Sequence, residues 1–115
     1  MLAAPRPIAE AISSAGGVKL ESLDPHAAEV IVVDNASRDG SVAMLKVEFP
    51  QVRRIENYEN RGFAAANNQA FAKMQGRYAL LLNTDTVLTE GAVAEIYRFM
   101  ESRHDVGMAC GQLLN

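Results

Sequence analysis

From residue 29 onward the apolar positions of this chain alternate between two rhythms. Val30-Ile31-Val32-Val33 is a β-branched run with no polar interruption, the pattern of a strand covered on both faces. It stops at Asp34-Asn35-Ala36-Ser37-Arg38-Asp39-Gly40, a loop rich in turn formers. Over residues 41–49, Val42, Leu45 and Phe49 share one side of a helix, and Pro50 ends it. Residues 52–57 read as a second, shorter strand. Residues 63–74 carry Phe63, Ala66, Ala70, Phe71 and Met74 as a helical stripe, with Gly76 placed to cap the end. Tyr78-Ala79-Leu80-Leu81-Leu82 is a third apolar strand. Thr89 is positioned to cap a helix over 90–102 whose inward face is Val93, Ile96, Tyr97 and Met100. Residues 106–110 are expected to form a fourth strand.

The first 27 residues behave differently. Pro5, Pro7, Pro25 and the pair Gly16-Gly17 interrupt any periodicity, and a short helix over 8–15 is the one element expected there. The chain thus divides into an irregular or helical segment, 1–27, and a regular part, 28–115. In the regular part strand and helix alternate, the signature of an α/β fold with a mostly parallel, Rossmann-like sheet and flanking helices. Ligands of such sheets sit outside the carboxyl ends of the strands. The polar residues just after Val33, Asn57 and Leu82 are therefore the ones to examine.

Composition narrows the classes. The chain has 115 residues, one domain's worth, with 49% hydrophobic and 22% charged residues. That is enough apolar surface to repay the ordering entropy of a core. The net charge of -3 has neither the sign nor the clustering of a nucleic-acid-binding face. A single cysteine, Cys110, excludes an internal disulfide and a multi-cysteine metal site; in its apolar run it is expected to be a buried, inert thiol. No stretch reaches the roughly 20 apolar residues of a membrane span, and Arg6, Pro7 and Glu10 interrupt a signal-peptide core. The expectation is a cytoplasmic chain, at the inner face of the membrane through partners.

Asp34 and Asn35 follow the first strand, Asn60 lies in the loop after the second, and Asn83 and Asp85 follow the third. Carboxylates with amide oxygens around them suit a hard divalent cation, and the same groups suit the edge of a base or a ribose. Local turns explain them equally well: Asp34 and Asn35 as an Asx turn, Asp85 as a turn cap, Asn60 beside Gly62 as a left-handed turn. Asn67 and Asn68 fit a solvated helix start, and Arg53-Arg54 a solvated strand end. His26 and His104 lack spaced partners. The chain has no G-x-G-x-x-G turn, no P-loop, no G-x-S-x-G elbow and no Cys/His pair spaced for nucleophilic chemistry.

Three segments together resemble something specific. Val32-Val33-Asp34-Asn35-Ala36-Ser37-Arg38-Asp39-Gly40-Ser41 resembles the V-D-N-x-S-x-D-G-S segment of family-two glycosyltransferases. Asn60-Arg61-Gly62-Phe63-Ala64-Ala65-Ala66-Asn67-Asn68 is similar to their N-x-G-F-A-x-A-x-N segment. Leu81-Leu82-Asn83-Thr84-Asp85-Thr86 resembles the L-L-N-x-D-T variant of the D-x-D motif found in rhamnosyltransferase-like members. The motifs occur in order across about residues 20 to 115. The resemblance implies a GT-A fold and inverting transfer from a nucleotide-diphosphate sugar, UDP- or dTDP-linked, to a glycan or lipid-linked acceptor in polysaccharide biosynthesis. By position it puts Asp34 and Asn35 at the base, Asn60 and Gly62 along the nucleotide pocket, and Asn83 near the ribose. Asp85 would ligate the Mg²⁺ or Mn²⁺ that bridges the diphosphate.

The same resemblance leaves the family's first strand without a counterpart in 1–27. No residue matches the catalytic base that takes the acceptor proton. The expectation is the N-terminal, donor-binding half of a transferase, inactive alone, with no catalytic residue assigned. Two other classes compete. A dimeric, non-catalytic α/β interaction module would use the sheet edges that a missing strand exposes. A signalling receiver domain shares the acidic first strand end, but it needs a phosphoacceptor Asp at a later strand end and a Lys near the last strand; here the second strand ends in Asn57 and no Lys follows Lys73.

Overall fold

The computed structural model describes residues 2–3, 29–50, 52–82, 89 and 91–112. Its elements are β1 (Leu2–Ala3), β2 (Glu29–Asn35), α1 (Ser41–Glu48), β3 (Arg53–Asn57), α2 (Phe63–Phe71), β4 (Ala79–Leu80) and α3 (Ala92–Ser102). The sheet order is β3-β2-β1-β4. β2 and β3 are parallel, with Val33 opposite Ile55 and Asn35 opposite Asn57. β1 lies between β2 and β4 and runs antiparallel to both, so β2, β3 and β4 point the same way. This is the expected α/β fold with mostly parallel strands. The predicted helix over 8–15 lies outside the described residues.

Side-chain alternation along β2 sorts the helices onto two faces. Val30 and Val32 point to one face, where Val30, Phe49 and Val52 form a buried cluster with Met44 and Leu45 of α1, Leu80, Leu82 and Val93 of α3. The ion pair between Lys46 of α1 and Glu56 of β3, at 2.9 Å, marks the same face, because Glu56 is in register with Asp34. Ile31, Val33 and Asn35 point to the other face, under α2, where Ile31 and Ala70 are wholly buried.

α2 is tied down at both ends. At its start, polar side chains at the carboxyl ends of β2 and β3 hold it. Beyond its finish, Arg53 donates to the Lys73 carbonyl at 3.0 Å and to Glu29 at 2.6 Å, and Glu29 also accepts from the Gln75 amide at 2.5 Å. Arg53 is exposed at the start of β3, the solvated strand end its position suggests, and also clamps this end. α2 consequently runs antiparallel to β2, with its N-terminus at the carboxyl edge of the sheet.

Other expectations are corrected. α2 stops at Phe71 rather than at residue 74, and the exposed Phe63 and Phe71 show that only Ala70 of the stripe is buried. α3 starts after Gly91, at φ 77°, with no side-chain cap; Thr89 contributes its carbonyl to the Ala92 amide at 3.1 Å instead. Residues 106–110 form no strand. Val106 donates back to the Arg103 carbonyl in a turn, and Met108 and Cys110 are exposed. An apolar run supplies strand propensity, but a strand needs a neighbouring edge in register, and no described strand pairs with it. Cys110 is accordingly not the buried thiol expected. No described helix is long and apolar enough to cross a membrane.

α1 starts on a polar hinge. Gly40 turns the chain at φ 84°, and Asp39 Oδ1 accepts from the Ser41 backbone N–H at 3.1 Å and from its hydroxyl at 2.5 Å. The hydroxyl bond first, then the amide, holds the Asp39 carboxyl below the usual carboxylate range. Because this value is lowered on folding, the stabilisation is present above the ordinary carboxylate range and is lost as pH falls through the lowered value. Ser41→Ala removes the larger cause. An NMR pH titration of the Asp39 carboxyl should then move up toward the ordinary value; an unmoved midpoint would discard this account.

Candidate functional site

The parallel register of β2 and β3 brings their carboxyl ends side by side, so Asn35 and Asn57 are direct neighbours on the α2 face. Both ends of the Asn35 amide are engaged there. Its Nδ2 donates to the Gly62 carbonyl at 3.3 Å, and its Oδ1 accepts from the Arg61 backbone N–H at 3.3 Å and from Asn57 Nδ2 at 3.0 Å. Asn57 also pairs with Gln69 of α2 in both directions, Nδ2 to Oε1 at 2.8 Å and Nε2 to Oδ1 at 2.9 Å.

The loop before α2 is braced from within as well. Asn60 Oδ1 accepts from the Gly62 N–H at 2.9 Å, an Asx turn. Gly62 has φ 82° and ψ 167°, a backbone region essentially reserved for glycine. Its carbonyl also accepts from Ala66 at 3.1 Å to open the helix. Asp34 sits on the opposite face. Its Oδ2 accepts from the Ser37 N–H at 3.1 Å, closing a turn through Ala36 at φ 68°. A non-glycine residue in that region carries strain, which such a bond offsets. Asp34 Oδ1 makes no hydrogen bond to a described residue.

Asp34, Asn35, Asn60 and Gly62 therefore meet at one edge of the sheet. Asn83 and Asp85 lie outside the described residues. Among the helix-start amides, Asn67 donates to the Phe63 carbonyl at 3.0 Å, and Asn68 is exposed. Arg38 and Arg61 are exposed, and neither forms an ion pair with a described residue. Asn57 and Gln69 are the site residues that sequence reading misses as participants. The signal that would find them is an amide at the end of each strand with a third amide two turns into the following helix.

The edge offers fixed amides, one carboxylate oxygen and two cations, a set that suits a polar, anionic small molecule. Among the described residues, no three His, Cys, Asp or Glu side chains gather closely enough to hold a metal ion. Asp34 alone does not make a divalent site.

The profile of Glycosyl transferase family 2 matches residues 6–113. Over 87 residues the chain is 34% identical to "Uncharacterized glycosyltransferase YfnE" of Bacillus subtilis (strain 168), a match covering 72% of this chain and 21% of that protein. Over 88 residues it is 32% identical to "Putative teichuronic acid biosynthesis glycosyltransferase TuaG" of the same organism, covering 73% of this chain and 34% of that protein. The chain thus spans about a fifth to a third of the curated relatives it matches. No solved structure matches it. With nearly its whole length matched by the profile, the chain belongs to glycosyl transferase family 2.

Proposed function

We propose that this chain forms the donor-nucleotide part of a family 2 glycosyltransferase, binding a UDP- or dTDP-linked sugar for inverting transfer to a glycan or lipid-linked acceptor. The observation that carries the reading is the convergence of Asp34, Asn35, Asn60 and Gly62 on the carboxyl edge of the parallel strands, where α/β sheets receive nucleotides. Asp34 meets the base with Oδ1, which no described residue engages. Asn35 shapes the pocket wall through Gly62, where the absence of a side chain permits close backbone approach. Asn83 is assigned to the ribose.

Arg38 and Arg61, exposed in the loops that follow β2 and precede α2, and the N-terminus of α2 would supply positive charge and dipole to a diphosphate. The divalent cation, Mg²⁺ or Mn²⁺, is assigned to Asp85, where it would neutralise charge on the leaving diphosphate. The similarity to TuaG, named as a putative teichuronic acid biosynthesis glycosyltransferase, accords with a place in polysaccharide biosynthesis.

Calorimetric titration of UDP and dTDP, with and without Mn²⁺, tests the reading. Metal-dependent binding that drops at least tenfold in Asp85→Ala is expected. The absence of binding at millimolar nucleotide would overturn donor recognition by this chain.

A further inference from the structure

We propose that Asn57 and Gln69 are positioning residues of this site: their paired amides orient Asn35, and through it hold the backbone of Arg61 and Gly62 in the ligand-receiving conformation. The proposal rests on reading this edge as the nucleotide site, and it assigns a role to two residues that need not touch the ligand.

The argument is one of polarity. A carbonyl only accepts and a backbone N–H only donates. The Gly62 carbonyl therefore requires the Asn35 amide nitrogen, and the Arg61 N–H requires the Asn35 oxygen. With Oδ1 so placed, Asn57 must present its NH₂ to Asn35. The second hydrogen of that NH₂ meets Gln69 Oε1, and Asn57 Oδ1 receives Gln69 Nε2.

Each amide taken alone has two orientations of similar shape. In this chain of contacts, two backbone groups of fixed polarity determine all three. Reversing Gln69 would set oxygen against oxygen at Asn57. Gln69 and Asn57 are both half-buried, so water competes only partly for these bonds. α2 is clamped beyond its far end through Arg53 and Glu29, which keeps Gln69 in place. A loop held in its bound shape spares the ligand the ordering cost.

Two variants of similar side-chain length test this. Gln69→Met removes both bonds to Asn57. Gln69→Glu keeps one bond and sets a carboxylate oxygen against Asn57 Oδ1. The first readout is amide hydrogen exchange in the ligand-free chain. The Arg61 N–H should exchange about fivefold faster in both variants, beyond any change at the core Ile31 N–H, whose exchange reports the global loss of stability. The second readout is titration of UDP or dTDP with Mn²⁺, where affinity should fall about tenfold. In a double-mutant cycle with Asn35→Ala the losses should fail to add, since Gln69 reaches Asn35 only through Asn57.

Unchanged Arg61 exchange, or strictly additive losses, would overturn the positioning role. A wild-type chain that binds neither nucleotide would instead overturn the donor-site reading. In that case the exchange arm still decides whether the amide chain holds the loop.

Discussion

Ile31→Ala should lower the unfolding free energy by about 2–5 kcal/mol, at the upper part of that range. Ile31 is completely buried on the face of β2 that α2 covers, and Ala70, the buried residue of α2, is too small to fill a void beside it. Deleting a buried branched side chain costs its transfer free energy plus a cavity term that depends on how far the surroundings collapse. Collapse is limited because α2 is held at both ends. The Asn57–Gln69 pair and the Asn35–Gly62 bond hold one, and Arg53 to Lys73 with Glu29 to Gln75 holds the other.

A domain is typically stable by about 5–15 kcal/mol, so this one change removes a large share. Urea unfolding monitored by circular dichroism measures it, with Val47→Ala as a control. Val47 is 80% exposed and should shift stability by less than about 0.5 kcal/mol. A loss below about 1 kcal/mol for Ile31→Ala would mean that α2 does not seal this face.

Gly62→Ala should cost about 1–3 kcal/mol and weaken nucleotide binding at least tenfold. The cause is purely conformational. A Cβ on Gly62 would meet nothing within 4 Å, yet φ 82° with ψ 167° excludes an L side chain. Ordinarily a loop escapes such strain by shifting. In this loop the Arg61 N–H, Gly62 N–H and Gly62 carbonyl are all engaged by Asn35 or Asn60, so relief breaks those bonds and moves the pocket wall.

Gly40 supplies the comparison. It has a similar φ of 84° but ψ of 1°, the left-handed helical region that asparagine tolerates. Gly40→Asn should therefore be mild, whereas Gly62→Asn should be as costly as Gly62→Ala. Equal effects of asparagine at the two glycines, measured by thermal unfolding, would contradict the difference in ψ between them.

Much of this architecture was legible in the sequence. The β-branched run of β2, the turn formers after it and the spacing of Val42, Leu45 and Phe49 placed β2, α1 and β3 within a residue or two. Each rests on local periodicity and backbone preference, which neighbouring residues determine. The failures share a cause. The run at 106–110 looked like a strand until the absence of a paired neighbour decided otherwise. Of the predicted α2 stripe, Ala70 is buried, Ala66 and Met74 are half-buried and Phe63 and Phe71 are exposed, because one strand face under a short helix covers few positions. Thr89 has capping chemistry, but Gly91 starts α3 by turning the backbone.

The candidate site divides the same way. Motif and spacing brought Asp34, Asn35, Asn60 and Gly62 to one edge, and they pointed to Asn83 and Asp85, which lie outside the described residues. They did not say that the Asn35 amide is spent on the protein itself, or that Asn57 and Gln69 stand behind it.

The sequence by itself determined the alternation of strands and helices from β2 to α3, the turns between them and the edge at which polar residues collect, because these follow from contacts between near neighbours in the chain; β1 between β2 and β4 was not among them. Only the tertiary structure decided which amide faces which, which glycine carries an obligatory backbone shape and which apolar runs are covered. Those outcomes depend on the register of β3 against β2 and on α2 crossing back over them, which joins residues that local patterning treats independently.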